Sequence, residues 1–183
     1  MNPDGSITVP GKDGNPNTPD NNATANGNSM ESPERKDTGE IKIPNGGSVT
    51  TGSGETIPLP NGGILKPDGT VIINRPEGGT IVVKPDGTGP DVTNPDGSPD
   101  ANKTVVEILY KSNDPQNKTI KSYAVVGDTI KLLPSTSFVY DGHQFLNWRE
   151  NANKAYTAEA EIQVAAAMTL EAQWAKLNPD GSV

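Results

Sequence analysis

Short apolar runs, separated by turns rich in glycine and proline, make up the middle of this chain. Between residues 38 and 88 they are Ile41-Lys42-Ile43, Thr56-Ile57-Pro58-Leu59, Val71-Ile72-Ile73 and Ile81-Val82-Val83. β-Branched residues suit pleated strands, and Asn-Gly or Asp-Gly pairs supply the positive φ of tight hairpins. The runs follow a sixteen-residue unit marked by Pro44-Asn45-Gly46-Gly47, Pro60-Asn61-Gly62-Gly63 and Pro76-Glu77-Gly78-Gly79. Each copy carries a second turn signal, at Gly52-Ser53-Gly54, Asp68-Gly69 or Asp86-Gly87. This spacing predicts a β-meander or a short β-solenoid. Pro58, Pro60 and Pro67 withdraw ladder donors, so several strands are predicted to be edges or to end early. With no large side chain to fill a core, the predicted structure is thin, elongated and weakly stable. A flexible linker of repeat-derived sequence is the alternative.

The pattern changes near residue 104. Residues 105–110 and 120–126 read as a hairpin around the polar turn at Asn113-Asp114-Pro115. Gly127-Asp128 then turns the chain into residues 129–132, and residues 134–137 are suited to one short helical turn. Residues 144–149 and 168–174 read as the last strands. In the final one Met168, Leu170, Ala172 and Trp174 share a face, and Thr169, Glu171 and Gln173 share the other. Residues 158–168 favour helix on propensity alone.

Composition separates these two parts. All eight aromatic residues and the single histidine lie from Tyr110 onward, whereas 17 of 20 glycines and 14 of 17 prolines precede Lys103. Only the second part is therefore expected to bury a conventional core. Residues 1–37, rich in asparagine and poor in apolar side chains, read as disordered or linker, with Ile7-Thr8-Val9 as a short strand able to pair with a neighbouring module. Residues 89–103 and 177–183 read as linkers. Asn-Pro-Asp-Gly-Ser occurs at residues 2–6, 94–98 and 178–182, and this recurrence reads as the seam of a longer tandem array.

Residues 104–175, within a module expected over residues 104–176, resemble the Listeria–Bacteroides repeat family, the B-repeat modules of internalin-type bacterial surface proteins. The resemblance rests on Val126-Gly127-Asp128-Thr129-Ile130 with Leu133-Pro134, on Asp141-Gly142-His143-Gln144-Phe145-Leu146-Asn147-Trp148, and on Tyr156, Ile162 and Met168-Thr169-Leu170-Glu171-Ala172-Gln173-Trp174. It implies a small β-grasp (ubiquitin-like) module of the cell envelope with no catalytic residues. It also implies that residues 158–168 are extended or irregular, against their helical propensity. His143 stands where the family has an aromatic residue and Asn147 where it has glycine. Asparagine tolerates a left-handed backbone, so a bulge before Trp148 is compatible with the substitution.

The formal net charge of −8 argues against a phosphate-binding groove, which needs clustered lysine and arginine. The chain has no cysteine and hence no disulfide or thiol chemistry. No apolar run approaches the roughly 20 residues of a membrane-spanning helix, and no basic-then-apolar leader follows Met1. His143 has no nucleophile placed with it in sequence and reads as a packing or surface residue. Asp128, Asp141, Glu159 and Glu161 are formally available for glycoside hydrolysis but read as solvated turn or strand groups. Asp13-Gly14-Asn15-Pro16-Asn17 begins like a calcium loop, yet Thr18 replaces the glycine and Thr24 the closing glutamate. The glycine-rich turns lack the Gly-Lys-Ser/Thr of a phosphate loop. Trp148 and Trp174 sit at positions better suited to a core than to stacking on a sugar.

No catalytic, cofactor-binding or metal-binding residue is therefore expected. The expected function is a non-catalytic repeat segment of a bacterial cell-surface or secreted protein, a stalk or spacer with a role in adhesion. Its expected partners are neighbouring repeats of the same chain and a host or bacterial surface protein or glycan. The alternative is a carbohydrate-binding accessory module of a secreted enzyme.

Overall fold

One five-residue turn recurs along the chain and organises its strands. In it the first residue donates its N–H to the fifth carbonyl, and the fourth donates back to the first. Lys66–Thr70 shows this with bonds of 2.9 and 3.0 Å, Arg75–Gly79 with 3.1 and 3.2 Å, and Asn94–Ser98 with 2.8 and 2.9 Å. Thr51–Glu55 and Asn178–Ser182 make the same pair of bonds. The fourth residue is always glycine, with φ between 81° and 87° at Gly54, Gly69, Gly78, Gly97 and Gly181. That left-handed conformation is what a type I turn closed by a bulge glycine requires. Where the second and third residues are Pro-Asp, proline presets φ and the aspartate carboxylate accepts the N–H two residues on.

The computed structural model describes residues 7–9, 23–26, 34–35, 39–52 and 54–182, with the backbone alone for the first three stretches. The fold is mainly β, with several antiparallel sheets and almost no helix. The strands are β1 (Ile7–Val9), β2 (Ala23–Asn26), β3 (Glu34–Arg35), β4 (Ile41–Ile43), β5 (Gly47–Thr50), β6 (Thr56–Leu59), β7 (Gly63–Leu65), β8 (Val71–Asn74), β9 (Thr80–Val83) and β10 (Asp91–Thr93). They continue with β11 (Val105–Lys111), β12 (Thr119–Val125), β13 (Thr129–Lys131), β14 (His143–Asn151), β15 (Lys154–Tyr156), β16 (Glu161–Gln163) and β17 (Met168–Lys176).

The first ten strands form two sheets, in the orders β1-β2-β5-β6 and β10-β9-β8-β7-β4-β3. Strands β7 to β10 are a meander. The Pro-Asn-Gly-Gly phrases, however, do different work in successive copies. Residues 44–47 carry the chain from β4 across to β5, residues 60–63 carry it back from β6 to β7, and residues 76–79 close an ordinary hairpin within one sheet. Gly63 is obligatory at its crossing, because a Cβ there would collide with the Ile72 carbonyl oxygen and the Leu59 side chain.

These sheets share a core, although the sequence offers no large side chain to fill one. Ile41, Ile43, Val49, Ile57, Leu59, Leu65, Val71, Ile73, Ile81 and Val92 are all buried in one cluster. Each short strand contributes one or two aliphatic side chains at period 2, and the sum fills a sandwich without any ring. Pro58 is tolerated because β6 is the outermost strand of its sheet.

Two of the expected linkers also need correction. Within residues 1–37 the described backbone is strand throughout: β1 pairs with β2, and β2 with β5. The remainder of that segment lies outside the described residues. Within 89–103, β10 pairs with β9, and Val92 is buried because the Pro-rich sequence around it ends the strand without preventing it.

In the second part the sheet order is β12-β11-β17-β14-β15, with β11 and β17 parallel and the other pairs antiparallel. β13 and β16 form a separate two-stranded sheet, so residues 161–163 are extended despite their helical propensity. A single 3-10 turn spans Ser135–Ser137. Ile108, Tyr110, Trp148, Leu170 and Ala172 fill the core on one face of the large sheet. A bulge in β14 makes this possible. Phe145 and Trp148, three residues apart, would face opposite ways on a regular strand. The register shift between Phe145 and Asn147 lets the two rings meet edge-to-face at 4.9 Å. Leu146, the extra residue, is 49% exposed, and Asn147 Oδ1 is buried without a hydrogen-bond partner.

Leu65 is fully buried in the aliphatic core. Leu65→Ala is expected to cost about 2–5 kcal/mol in denaturant unfolding; a variant that unfolds like the parent would mean that this core is not formed.

The turn carboxylates predict a response to acid. The pKa of Asp96 is held below its ordinary value chiefly by the Ser98 hydroxyl, and that of Asp180 chiefly by the Ser182 N–H. A depressed carboxylate stabilises the fold above its unfolded pKa and loses that contribution as pH falls through the folded value. The amide resonances of Ser98 and Ser182 are therefore expected to shift together at a midpoint below about 3.9, the ordinary aspartate value, in an NMR titration. Midpoints at or above that value would contradict the assignment.

Candidate functional site

The two parts of the chain meet along β12. Its residues alternate in allegiance: Ile120 and Ala124 face the aromatic core, while Tyr123 and Val125 pack against the aliphatic core of the sandwich. Val105 on β11 does the same. One end of the large sheet is thus covered on both faces, and period 2 is what allows it. At the rim Lys121 bridges Glu55 at 2.7 Å and Glu107 at 3.7 Å. The hydrogen bond to Glu55 raises the Lys121 pKa against the opposing effect of burial.

Deeper in the junction Arg75 donates through Nε and Nη2 to both carboxylate oxygens of Asp128, at 2.8 and 2.7 Å. The two side chains are 5% and 4% exposed. Each is fixed by its own backbone. Arg75 opens the turn after β8. Asp128 sits between β12 and β13, donating its N–H to Val125 O and accepting from Val164 N–H at 2.9 Å. The ion pair raises the Arg75 pKa chiefly through its hydrogen bond to the carboxylate, against desolvation. Planar, bidentate pairing of this kind is the arrangement that best offsets removing two charges from water.

Beside the pair lies a cleft of about 340 Å³, with Asn61, Glu77, Tyr123, Lys131 and Glu161 among its lining residues. The cleft offers carboxylates, an ammonium and a phenol ring, but the guanidinium and the innermost carboxylate are already committed to each other.

The residues weighed from sequence are dispersed. Asp128, read as a solvated turn group, is instead buried in the ion pair, because the sandwich closes over it. Glu161 lines the cleft, Glu159 pairs with Lys131 at 2.8 Å, and Asp141 is exposed in the turn before β14. His143 is away from the cleft, stacked on Tyr140 with ring centroids 3.7 Å apart. Trp148 is fully buried and donates Nε1–H to Leu133 O. Trp174 is half-buried, edge-on to Phe145 and Tyr140, with its Nε1–H on Ser112 O at 2.6 Å. No group of three or more metal-ligating side chains occurs among the described residues. The calcium-like stretch at Asp13–Asn17 lies outside them.

Arg75 is the residue that sequence reading passed over, although a signal exists. The residue before each Pro-Asn/Glu-Gly-Gly phrase is Ile43, then Leu59, then Arg75. The first two are buried in the aliphatic core. A charge at the third equivalent position calls for a buried counter-charge. No protein-family model, curated protein or solved structure matches the chain.

Removing one partner leaves the other charged and buried. Asp128→Ala is expected to lower stability by about 3–5 kcal/mol, whereas the joint replacement Arg75→Leu with Asp128→Val is expected to recover most of the loss. Denaturant unfolding of the single and double variants measures this; equal losses in both would mean that the pair is not a coupled buried unit.

Proposed function

We propose that the chain is a non-catalytic spacer segment of a bacterial cell-surface or secreted protein, one unit of a tandem array that holds other domains away from the surface and contributes to adhesion. Its partners in this reading are neighbouring repeats and a surface protein or glycan. The observation that carries it is the junction: a buried ion pair and a β-strand shared between two cores make the sandwich and the second module one stiff unit. A spacer transmits position only if its joints resist bending.

Further features support the reading. The strand order β12-β11-β17-β14-β15, with a parallel central pair, agrees with a β-grasp assignment for residues 104–176. In this reading the 3-10 turn at Ser135–Ser137 and the strands around it occupy the place of the usual helix. The bulge before Trp148 agrees with the resemblance to Listeria–Bacteroides repeats. The recurrent Asn-Pro-Asp-Gly-Ser phrase supplies a defined turn at two of its three positions.

A carbohydrate-binding accessory module is the second reading, favoured by the half-exposed group formed by Tyr140, His143 and Trp174.

Pulsed double electron–electron resonance on the intact chain, with spin labels at Lys42 and Lys154, tests the spacer reading. A single narrow inter-label distance, broadened in Asp128→Ala, is the expected result. A broad distribution in the parent protein would overturn it. Retention on a glycan array that is lost in Trp174→Ala would favour the accessory module instead.

A further inference from the structure

The turn at Asn178–Ser182 has a direction. Leu177 donates its N–H to Gly142 O at 2.8 Å, on the β14 side of β17. Successive N–H groups of an extended strand point to opposite sides. That of Asn178 points away from β14, and it is donated to Ser182 O at 2.7 Å. A strand that continued this hairpin would therefore pair on the side of β17 that faces β11.

That side is open. The β11 ladder reaches only as far as Lys111 opposite Glu171, whereas the β14 ladder continues to His143 opposite Lys176. Alternation from Leu177 places the Lys176 N–H on the open side. An unpaired strand end is a template for another strand.

The copy at Asn94–Ser98 shows what this turn does next. Its return chain pairs with the strand it left: Pro99 bridges Thr93, and Asp100 donates its N–H to Val92 O at 2.9 Å. Pairing goes no further there, and Pro99 contributes no donor to it. After the phrase at residues 2–6 the sequence is Ile7-Thr8-Val9, without proline. This is β1, the outermost strand of its sheet, paired on one side only, with β2.

We infer that the open edge of β17 receives β1 of a second copy of this chain, the two copies sharing one Asn-Pro-Asp-Gly-Ser phrase. The register is set by the turn at Asn94–Ser98. Pro99 opposite Thr93 becomes Ile7 opposite Leu177, and Asp100 opposite Val92 becomes Thr8 opposite Lys176. The Lys176 N–H and carbonyl then pair with Thr8, and Val9 lies opposite Ala175. The part of the large sheet beyond the end of β11, where β17 keeps only β14, runs on into the β1-β2-β5-β6 sheet of the next copy. The joint between copies is a continued ladder and not a free linker. This inference rests on the tandem-array reading given above and specifies its joint.

The test is a two-copy protein in which residues 1–182 are followed directly by residues 7–183, compared with the single chain by amide hydrogen exchange. The Lys176 amide of the first copy is expected to exchange at least about tenfold more slowly than in the single chain, since it passes from an open edge to a paired ladder. An unchanged rate would overturn the inference. Replacing the shared phrase by a Gly-Ser segment of equal length is expected to abolish the protection. Protection that survives would also overturn the inference, because the turn would then not be what places β1. The spacer reading is tested on the shape of a single copy, so a stiff single copy with an unprotected Lys176 overturns only the present inference.

Discussion

A guanidinium and a carboxylate withdrawn from water together hold the two halves of this protein in one arrangement. Arg75 comes from the end of a repeat hairpin and Asp128 from the turn after β12, and neither is tolerable alone at its depth. Apolar surfaces slide over one another at little cost, whereas a bidentate pair has one geometry. The surrounding contacts of Val105, Tyr123 and Val125 exclude water and contribute area; the ion pair fixes the angle. Everything proposed about stiffness follows from that difference.

The sandwich shows how a core is assembled from strands of three or four residues. No strand buries enough to persist alone, and an isolated hairpin is marginal in water. The chain overcomes this by passing from one sheet to the other and back, so that strands of the two sheets bury each other's isoleucine, leucine and valine. The turns make the arrangement regular. A type I turn closed by a left-handed glycine returns the chain in a fixed register whatever strand precedes it, which is why one phrase serves within the sandwich, at the junction and after β17.

Much of this was legible in the sequence. Apolar runs between turn signals located β11, β12 and β14, period-2 alternation located β17, and the turn phrases located the hairpins between β7 and β9. The positions around Phe145, Asn147 and Trp148 indicated a bulge; the structure forms it at Leu146 and leaves Asn147 out of the left-handed region. Two readings failed for one reason. Absence of aromatic residues was equated with absence of a core, and proline-rich composition with absence of strands. Both are local criteria, and burial is a sum over many elements.

By itself the sequence determined what depends on a residue and its near neighbours: the turns, through Pro-Asp-Gly and the φ that only glycine adopts easily, and the strands, through alternation. It determined the mainly β character for the same reason. Only the tertiary structure decided which sheet each strand joined, that Val125 turns its back on its own module, and that Arg75 and Asp128, 53 positions apart, become partners. Those outcomes depend on which surfaces exclude water together, and a linear pattern records the capacity for burial without recording the partner.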